Sequence, residues 1–340
     1  GLMSGTSMDG VDAVLCEFRG TRLARTSRRH SLDYPAPLRA RLLHLQREEP
    51  AITIAELCEL DNAVARVFAD TANGLLQAAG IPPSQLAGLG SHGQTVYHDP
   101  KGVGSSLQLG NPSLIAAMTG VTTVADFRRA DIAHGGQGAP LVPAFHRAQF
   151  ADEAEVRSVV NIGGIANISV LRGAQGPVLG FDTGPGNGLM DEWIERHLDK
   201  AYDADGAWAR SGTPHAGLLD ALLSDPYFAA APPKSTGRNQ FNLGWAQRRY
   251  PDLLRLPPPD VQASFCELTV HSIAMAVQAC AADSRRLLVC GGGALNGFLL
   301  HRLRECLPGI EVQSTDEHGL GTSDVEAAAF AWLAMRTLEG

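Results

Sequence analysis

One long segment of the chain repeats its apolar positions at helical spacing. Between residues 54 and 79 the positions that fall on one helix face are Leu57, Leu60, Val64, Val67, Phe68, Thr71 and Leu75. The spacing predicts an amphipathic helix over this segment, which Gly80 and the Pro82-Pro83 pair should end. The same kind of pattern predicts further helices over residues 263–282, 296–307 and 324–338.

Short apolar runs bounded by glycine turns predict strands. At the start of the chain, residues 1–3 and 11–18 predict the two strands of a hairpin around a turn at 4–10. The same strand, glycine turn and strand recur about 150 residues later, at 158–162, Gly163-Gly164 and 167–171. Other strands are predicted at 86–90, 121–125 and 286–290.

Strands that alternate with helices predict an α/β layered fold. The recurring hairpin predicts two domains of similar topology, 1–130 and 131–340, which face one nucleotide cleft built from several loops. A length of 340 residues is sufficient for two domains and a large core. Because Gly1 stands inside the first predicted strand, we expect a few residues to precede it.

Composition narrows the class of protein. Apolar residues make up 44% and charged residues 19% of the chain, as in ordinary globular proteins. The net charge of -8 and the lack of a basic run argue against a nucleic-acid partner. No apolar run reaches about 18 residues, so no membrane helix is expected. Six cysteines without a CxxC pair predict buried, reduced thiols in a cytoplasmic protein, and the eleven histidines lack zinc spacing.

The first glycine turn carries hydroxyl and carboxylate groups as well. A glycine hairpin exposes backbone N–H groups that can hold phosphate oxygens, and an aspartate there can hold Mg²⁺ directly or through water. The candidate nucleotide-binding residues are Gly5, Thr6, Ser7, Met8, Asp9, Gly10, Val11 and Asp12. A hairpin turn without a ligand explains the same residues about equally well. The chain has no Walker-type P-loop.

A second glycine-rich turn follows the strand predicted at 286–290. Gly291, Gly292 and Gly293 lead to Asn296 and the next helix, so backbone can approach a ribose, an adenine or a phosphate there. The alternative is a tight connection between a strand and a helix. The turn lacks the spacing of a dinucleotide-binding fingerprint.

Asp182 stands at the end of a strand that runs into Gly184 and Gly186. Glycines on this side leave the carboxylate uncrowded, as a general base requires. The alternative is an Asx-turn or a helix cap, which is common for aspartate near glycine.

Four weaker candidates are polar or charged side chains outside the glycine turns. Arg128 lies in a segment rich in charged residues that follows the strand predicted at 121–125. It can bind a carboxylate in bidentate fashion, although a solvated ion pair is the more common role of such a residue. His92 and Gln94 lie in a polar loop between glycines and can bond sugar hydroxyls, and a structural role is equally open. Glu326 starts an apolar helix, where an acid often only complements the helix dipole.

Taken together, these motifs resemble the anhydro-N-acetylmuramic acid kinase family. The resemblance extends over nearly the whole chain, in motifs that occur in the family's order at 1–12, 90–95, 124–128, 135–143, 161–167, 180–187, 234–238 and 290–296. It implies two domains of related actin-like ATPase, ribonuclease H-like topology around a nucleotide cleft. In that fold, residues 5–12 are the first phosphate loop, and Asn161, Gly163, Gly164 and Asn167 belong to the second. Residues 291–296 face the adenosine.

The resemblance also implies a reaction. ATP, with Mg²⁺, phosphorylates O6 of 1,6-anhydro-N-acetylmuramic acid while water opens the anhydro bridge, giving N-acetylmuramic acid 6-phosphate and ADP for peptidoglycan recycling. Asp182 activates the water, and His92, Gln94, Arg128 and Glu326 become the sugar-side residues. No protein metal ligand is implied, and a homodimer is the candidate assembly. Family members usually carry a further tail beyond the position of Gly340.

Three other functions fit parts of the sequence. A nucleotide-binding switch would hydrolyse ATP slowly without a sugar. A kinase for another amino sugar would use Asp182 to deprotonate a hydroxyl instead of water. A glycoside hydrolase would use paired carboxylates and leave the glycine loops without a purpose. Sugar-dependent ADP release and incorporation of water oxygen at the anomeric carbon separate these alternatives.

Overall fold

A computed structural model describes residues 1–5 and 7–340, apart from the side chains of residues 47 and 48. The strands are β1 (Leu2–Met3), β2 (Gly10–Arg19), β3 (Arg22–Asp33), β4 (Leu89–Gly90), β5 (Gln94–Asp99), β6 (Ser105–Leu109), β7 (Thr123–Val124), β8 (Arg157–Ile162), β9 (Ile165–Leu171), β10 (Val178–Pro185), β11 (Arg286–Cys290) and β12 (Glu311–Ser314). The α-helices are α1 (Ala36–Glu48), α2 (Ile54–Ala79), α3 (Pro112–Thr119), α4 (Phe127–Ala133), α5 (Pro143–Phe150), α6 (Gly188–Leu198), α7 (Ala207–Ser211), α8 (Ala216–Leu223), α9 (Pro226–Ala229), α10 (Leu243–Arg249), α11 (Pro258–Cys280), α12 (Gly297–Cys306) and α13 (Val325–Glu339). Short 3₁₀ turns lie at Pro83–Gln85, Ala204–Gly206, Leu253–Arg255, Gly292–Leu295 and Thr315–His318.

The chain divides into two compact units. The first comprises Gly1–Gln149 and Asp324–Gly340, and the second comprises Phe150–Ser323. This division differs from the sequence-based boundary after residue 130, because most of α5 and the whole of α13 belong to the first unit. Helix α13 lies against β1, β2 and β4, a contact between the two ends of the chain that no local pattern reveals.

The first unit contains a sheet whose first three strands are antiparallel, in the order β1-β2-β3. Strands β4 and β7 pair in parallel, and a parallel bridge between Leu2 and Ser91 joins the β4 segment to β1. The resulting order is β3-β2-β1-β4-β7. Strands β5 and β6, which come between β4 and β7 in the sequence, form a separate antiparallel hairpin.

The second unit has a five-stranded sheet in the order β10-β9-β8-β11-β12. Its β8, β9 and β10 are antiparallel neighbours, and β11 runs parallel to both β8 and β12. Strand order and direction therefore match those of the first unit. The repeated hairpin predicted from the sequence is confirmed, with β1 and β2 corresponding to β8 and β9.

The long predicted helix has the predicted bounds. Thr53 and Glu56 form a capping box at the start of α2, and Gly80 ends it in the left-handed conformation. Its buried face includes Leu60, Val64 and Phe68. Helix α11 begins five residues before its predicted start, because proline is well accommodated in the first turn of a helix.

Each unit has its own hydrophobic core. In the second unit, α11 packs on one face of the sheet, against residues such as Ile168 and Phe181. All six cysteines are free, but the prediction of buried thiols is confirmed only for Cys266 and Cys290. Cys58 is exposed because α2 turns it toward solvent, and the other three, Cys16, Cys280 and Cys306, are half-buried. Among the described helices, none combines the length and apolar character needed to cross a membrane.

Candidate active site

The first glycine turn connects β1 to β2 and is held by buried side chains. The Ser4 hydroxyl lies 2.7 Å from the carbonyl oxygen of Gly10 and 2.6 Å from Oε1 of Gln94. Met8 is fully buried and has a positive φ of 55°, which is unusual for a residue with a side chain. Thr6, predicted to bind nucleotide, lies outside the described residues. The turn is thus a fixed structure on both sides of that position.

Arg39, from α1, braces this turn and was not recognised from the sequence. Its Nε donates to the carbonyl of Met8 at 3.1 Å, and its Nη2 lies 3.0 Å from Oδ1 of Asp9. Because the C=O and N–H of a trans peptide point in opposite directions, the N–H of Asp9 points away from Arg39. A lone arginine in a helix 30 residues from its partner gives no sequence signal.

The two predicted aspartates of this region differ in their surroundings. The Asp9 side chain is 65% exposed and forms an ion pair with Arg39, in a loop that a hydrated cation can reach. Asp12 lies inside β2, where its Oδ1 accepts hydrogen bonds from Arg29 and Ser31 of β3. Asp9 is therefore the better placed of the two to bind Mg²⁺, directly or through water.

His92, Gln94 and Arg128 belong to one hydrogen-bonded network with the first turn. Gln94 Nε2 donates to the carbonyl of Gly5 at 3.1 Å, and His92 Nδ1 lies 3.2 Å from the carbonyl of Ser4. Arg128 Nε donates to Nε2 of His92 at 3.0 Å. Its Nη1 donates to the carbonyl of Gly138 at 2.6 Å. Three residues predicted to bind the sugar thus lie beside the predicted phosphate loop in the first unit.

His92 is held in its neutral form. Burial lowers the pKa of His92 well below its ordinary value, and the nearby Arg128 charge lowers it further. Since Arg128 donates to Nε2, the ring proton is on Nδ1 and points to the carbonyl of Ser4. The imidazole therefore connects the guanidinium to the turn and carries no charge of its own.

Glu326 lies in the first turn of α13, one turn before Phe330. The Phe330 ring packs against His92 at 4.7 Å between ring centroids. A close approach of α13 to the sheet requires glycine at Gly90, where a Cβ would lie 2.0 Å from the carbonyl oxygen of Phe330. The helix that carries Glu326 is thereby fixed against the segment that carries His92.

Three glycine loops meet in the second unit. The carbonyl of Gly163 accepts from Asn187 N–H at 2.7 Å, and the carbonyl of Gly164 accepts from Gly186 and Gly188. A Cβ at Gly186 would lie 2.2 Å from the Gly163 carbonyl oxygen, so only glycine fits. On the other side, a Cβ at Gly293 would lie 2.4 Å from the side chain of Ile162.

Asp182 is 4% exposed and is held on three sides. Its Oδ2 accepts from the N–H of Thr236 at 2.9 Å, and its own N–H donates to the carbonyl of Lys234 at 3.0 Å. Tyr227 donates its hydroxyl to the Asp182 carbonyl at 2.7 Å. A register shift in β10 just after Asp182 separates it from Gly184, whose φ is 147°. This bulge lies near the end of β10 and sets the direction of the Asp182 side chain there.

Four polar or thiol side chains form a row across the second sheet. Asp182 stands opposite Asn167, Asn167 opposite Asn161, and Asn161 opposite Cys290. Residues directly opposite in a sheet point to the same face. The amide oxygens of both asparagines are buried and make no hydrogen bond within the described chain. Such atoms are costly unless a ligand or water satisfies them.

Asn296 has a clear local role. Its Oδ1 caps α12 by accepting the N–H of Leu299 at 3.0 Å, and Asp205 accepts the N–H of Gly297 at 2.9 Å. A Cβ at Gly206 would lie 2.4 Å from the Asn296 Oδ1, so the two loops are in close contact. The predicted nucleotide-binding role of Asn296 is compatible with capping, and stays a prediction.

Several glycines leave room that the free protein does not use. A Cβ added at Gly5, Gly163 or Gly292 would meet no atom closer than 3.5 Å. In each unit, such a glycine lets a phosphate-rich ligand approach the backbone. The orphaned oxygens of Asn161 and Asn167 are acceptors, so they suit a hydrogen-bond donor such as water or a hydroxyl group. Within residues 1–5 and 7–340, no cluster of three His, Cys, Asp or Glu side chains is arranged to hold a metal ion. Mg²⁺ carried by nucleotide phosphates needs only one or two carboxylates.

The duplicated sheet order, with a glycine turn in the first hairpin of each sheet, defines a fold of two units with related actin-like ATPase topology. Two solved structures share this fold with a TM-score above one half. The activator of 2-hydroxyisocaproyl-CoA dehydratase from Clostridium difficile, with bound ADPNP, has a TM-score of 0.53 at 11% identity, covering 100% of this chain and 94% of that chain. Component A of (R)-2-hydroxyglutaryl-CoA dehydratase from Acidaminococcus fermentans has a TM-score of 0.54 at 12% identity, covering 100% and 98%.

Sequence comparison is more specific. The family model of anhydro-N-acetylmuramic acid kinase matches residues 1–340. A protein of that name from Cupriavidus pinatubonensis is 50% identical over 99% of this chain and 91% of its own length. Another, from Variovorax paradoxus, is 51% identical over 99% and 92%. The chain belongs to the anhydro-N-acetylmuramic acid kinase family and is a kinase.

Proposed function

We propose that the protein transfers the γ-phosphoryl group of ATP to O6 of 1,6-anhydro-N-acetylmuramic acid as water opens the anhydro bridge. The products are N-acetylmuramic acid 6-phosphate and ADP. The observation that carries the proposal is the placement of Asp182, a buried carboxylate with one oxygen held by the N–H of Thr236. A carboxylate fixed in this way is suited to take a proton from water at a defined position.

The sugar-side assignments follow from the first-unit network. Arg128 supplies a positive charge for the lactyl carboxylate, and its fixed guanidinium favours bidentate binding. His92 and Gln94 hold Arg128 and the turn in place and present polar edges to the sugar. Glu326 is the candidate partner of a sugar hydroxyl.

The ATP assignments follow the glycine loops. The turn around Gly5, the Asn161–Asn167 hairpin turn and the loop at Gly291 are the proposed phosphate and adenosine contacts. Mg²⁺ would offset charge on the phosphates, and Asp9 is the carboxylate with room for it. The protein's own contribution is to orient the reactants and exclude bulk water.

The compartment and assembly implied by the family form part of the same proposal. Six free cysteines suit a reducing cytoplasm. A homodimer rests on the family resemblance alone, and sedimentation of the purified protein tests it. A place in peptidoglycan recycling follows from the proposed substrate.

The test is ADP release from Mg-ATP with and without 1,6-anhydro-N-acetylmuramic acid. Wild type should release ADP only with the sugar, and Asp182→Asn should lose about 10²- to 10⁴-fold in kcat, the usual size of a general-base effect. The exposed Asp220→Asn on α8 is the matched control and should behave as wild type. ADP release without sugar would favour a nucleotide switch. Product without ¹⁸O from labelled water would favour a kinase for another amino sugar.

A further inference from the structure

Asn167 and Asp182 are direct neighbours on one face of the second sheet. They stand opposite each other in the antiparallel β9–β10 pair, where Cβ atoms are about 4.5–5.5 Å apart. Ile168 and Phe181, the next residues along, point into the main core on the other face. The Asn167 side chain therefore stands beside the proposed base.

The two orphaned amide oxygens have different surroundings. Oδ1 of Asn161 lies against Gly291, at 2.3 Å from where a Cβ would stand, so it faces the third glycine loop. Asn167 stands opposite Asp182 in the sheet, and its Oδ1 is buried and has no hydrogen-bond partner in the described chain. Oδ2 of Asp182 accepts the N–H of Thr236. The Asn167 oxygen thus adds a hydrogen-bond acceptor next to the Asp182 carboxylate.

We propose that Asn167 positions the attacking water together with Asp182, and is therefore a catalytic residue of the hydrolytic step. A water molecule that donates one hydrogen to Asn167 Oδ1 and the other to Asp182 has its lone pairs directed away from both. Two hydrogen bonds fix the orientation of the nucleophile more closely than the bond to Asp182 alone. The inference rests on the proposed function, and it changes the role that the sequence suggested for Asn167, from nucleotide binding to water binding.

The step balances without a further reactant. The water oxygen bonds to C1 as the bond from C1 to O6 breaks, and one water proton passes to Asp182. O6 then bonds to the γ-phosphorus as the bond to ADP breaks, and Asp182 releases its proton to solvent. The hydrogen bond to Asn167 is retained by the new anomeric hydroxyl.

Asn167→Ala tests the positioning directly. We expect kcat to fall about 10- to 100-fold through loss of orientation, while the dissociation constant of ATP stays within twofold of wild type. The matched control is Asn161→Ala, the same substitution one strand away, which should weaken ATP binding instead. A weaker affinity for ATP in Asn167→Ala with unchanged kcat at saturating ATP would overturn the proposal.

Asn167→Asp provides a readout that a purely structural residue would not affect. A second carboxylate beside Asp182 should move the acidic limb of the pH–kcat profile upward by about one pH unit, because two neighbouring carboxylates resist joint ionisation. An unmoved acidic limb in a variant with wild-type circular dichroism would contradict the inference. If wild type shows no sugar-dependent ADP release, the proposed function fails and this inference fails with it. A failure confined to the Asn167 variants leaves that function intact.

Discussion

Tyr227 donates its phenolic hydroxyl to the backbone carbonyl of Asp182 at 2.7 Å. Lys234 is hydrogen-bonded to both residues. Its carbonyl accepts the N–H of Asp182, and its Nζ donates to the Tyr227 carbonyl at 2.9 Å. Burial, and then the charge of Asp182, raises the pKa of Tyr227, so the phenol stays protonated and remains a donor. The peptide groups on both sides of the proposed base are thus fixed by residues about 50 positions away.

Tyr227→Phe should therefore reduce turnover more than binding. Loss of one buried hydrogen bond should cost about 1 kcal/mol of stability and lower kcat several-fold, with little change in the KM of either substrate. Steady-state kinetics and thermal unfolding measure the two effects. The control is Tyr202→Phe, which removes the same hydroxyl at a position 66% exposed. Equal kinetics for the two variants would mean that the Tyr227 contact is only structural.

The brace between Arg39 and the first turn gives a second prediction. Arg39→Ala removes the donors that hold the carbonyls of Ser7 and Met8, so the loop should lose its fixed shape. We expect the KM for ATP to rise about tenfold, with a smaller effect on the KM for the sugar. Arg41→Ala on the same helix, which breaks an exposed pair with Glu59, is the control. A variant that loses sugar affinity alone would argue against a phosphate role for this loop.

Substituting a glycine that has space for a Cβ, and one that does not, distinguishes an effect on ligand binding from an effect on folding. Gly163→Ala places a methyl 3.5 Å from its nearest neighbour, so the free protein should keep its stability while ATP affinity falls at least tenfold. Gly186→Ala would put a Cβ 2.2 Å from a carbonyl oxygen and should destabilise the fold itself. Isothermal titration and thermal unfolding of both variants distinguish the two effects. Wild-type ATP affinity in Gly163→Ala would remove Gly163 from the nucleotide site.

Local patterns in the sequence predicted the elements with strong periodicity. The helix Ile54–Ala79 and the strand Arg286–Cys290 have the predicted bounds, because an amphipathic stripe and an apolar run between turns are each unambiguous there. Strand β3 was not predicted, since its mostly exposed, arginine-rich sequence lacks alternation. The place of α13 in the first unit was missed as well, because it depends on contacts between the two ends of the chain.

Only those parts of the candidate site whose reactive or ligand-binding groups lie within a sequence motif could be predicted from the sequence. Asp182 and the glycine turns stand out in the sequence, because the acid follows an apolar run and is itself followed closely by Gly184 and Gly186. Arg39, Tyr227 and Thr236 act through contacts over 30 to 54 residues. Thr236 lies in the family motif at 234–238, but the motif does not reveal its contact with Asp182, and no motif contains the other two. Their importance follows from the tertiary structure alone.

Buried histidines make stability depend on pH. Burial lowers the pKa of His146 to about 3, and burial followed by the Arg128 charge lowers that of His98 to about 4. In the unfolded chain both titrate near 6.5, so the unfolded state binds more protons as the pH falls below that value. Stability should therefore be highest above pH 6.5 and should fall toward pH 4.

His146 is the sharper test, because its side chain is fully buried in α5. Between pH 7.5 and 5.5, wild type should lose about 1.4 kcal/mol more of its free energy of unfolding than His146→Leu, whatever the absolute stability of the variant. Urea unfolding at the two pH values measures the difference, and His301→Gln, at an exposed position, is the control. Parallel pH dependence in wild type and His146→Leu would show that this imidazole gains its proton without loss of the fold.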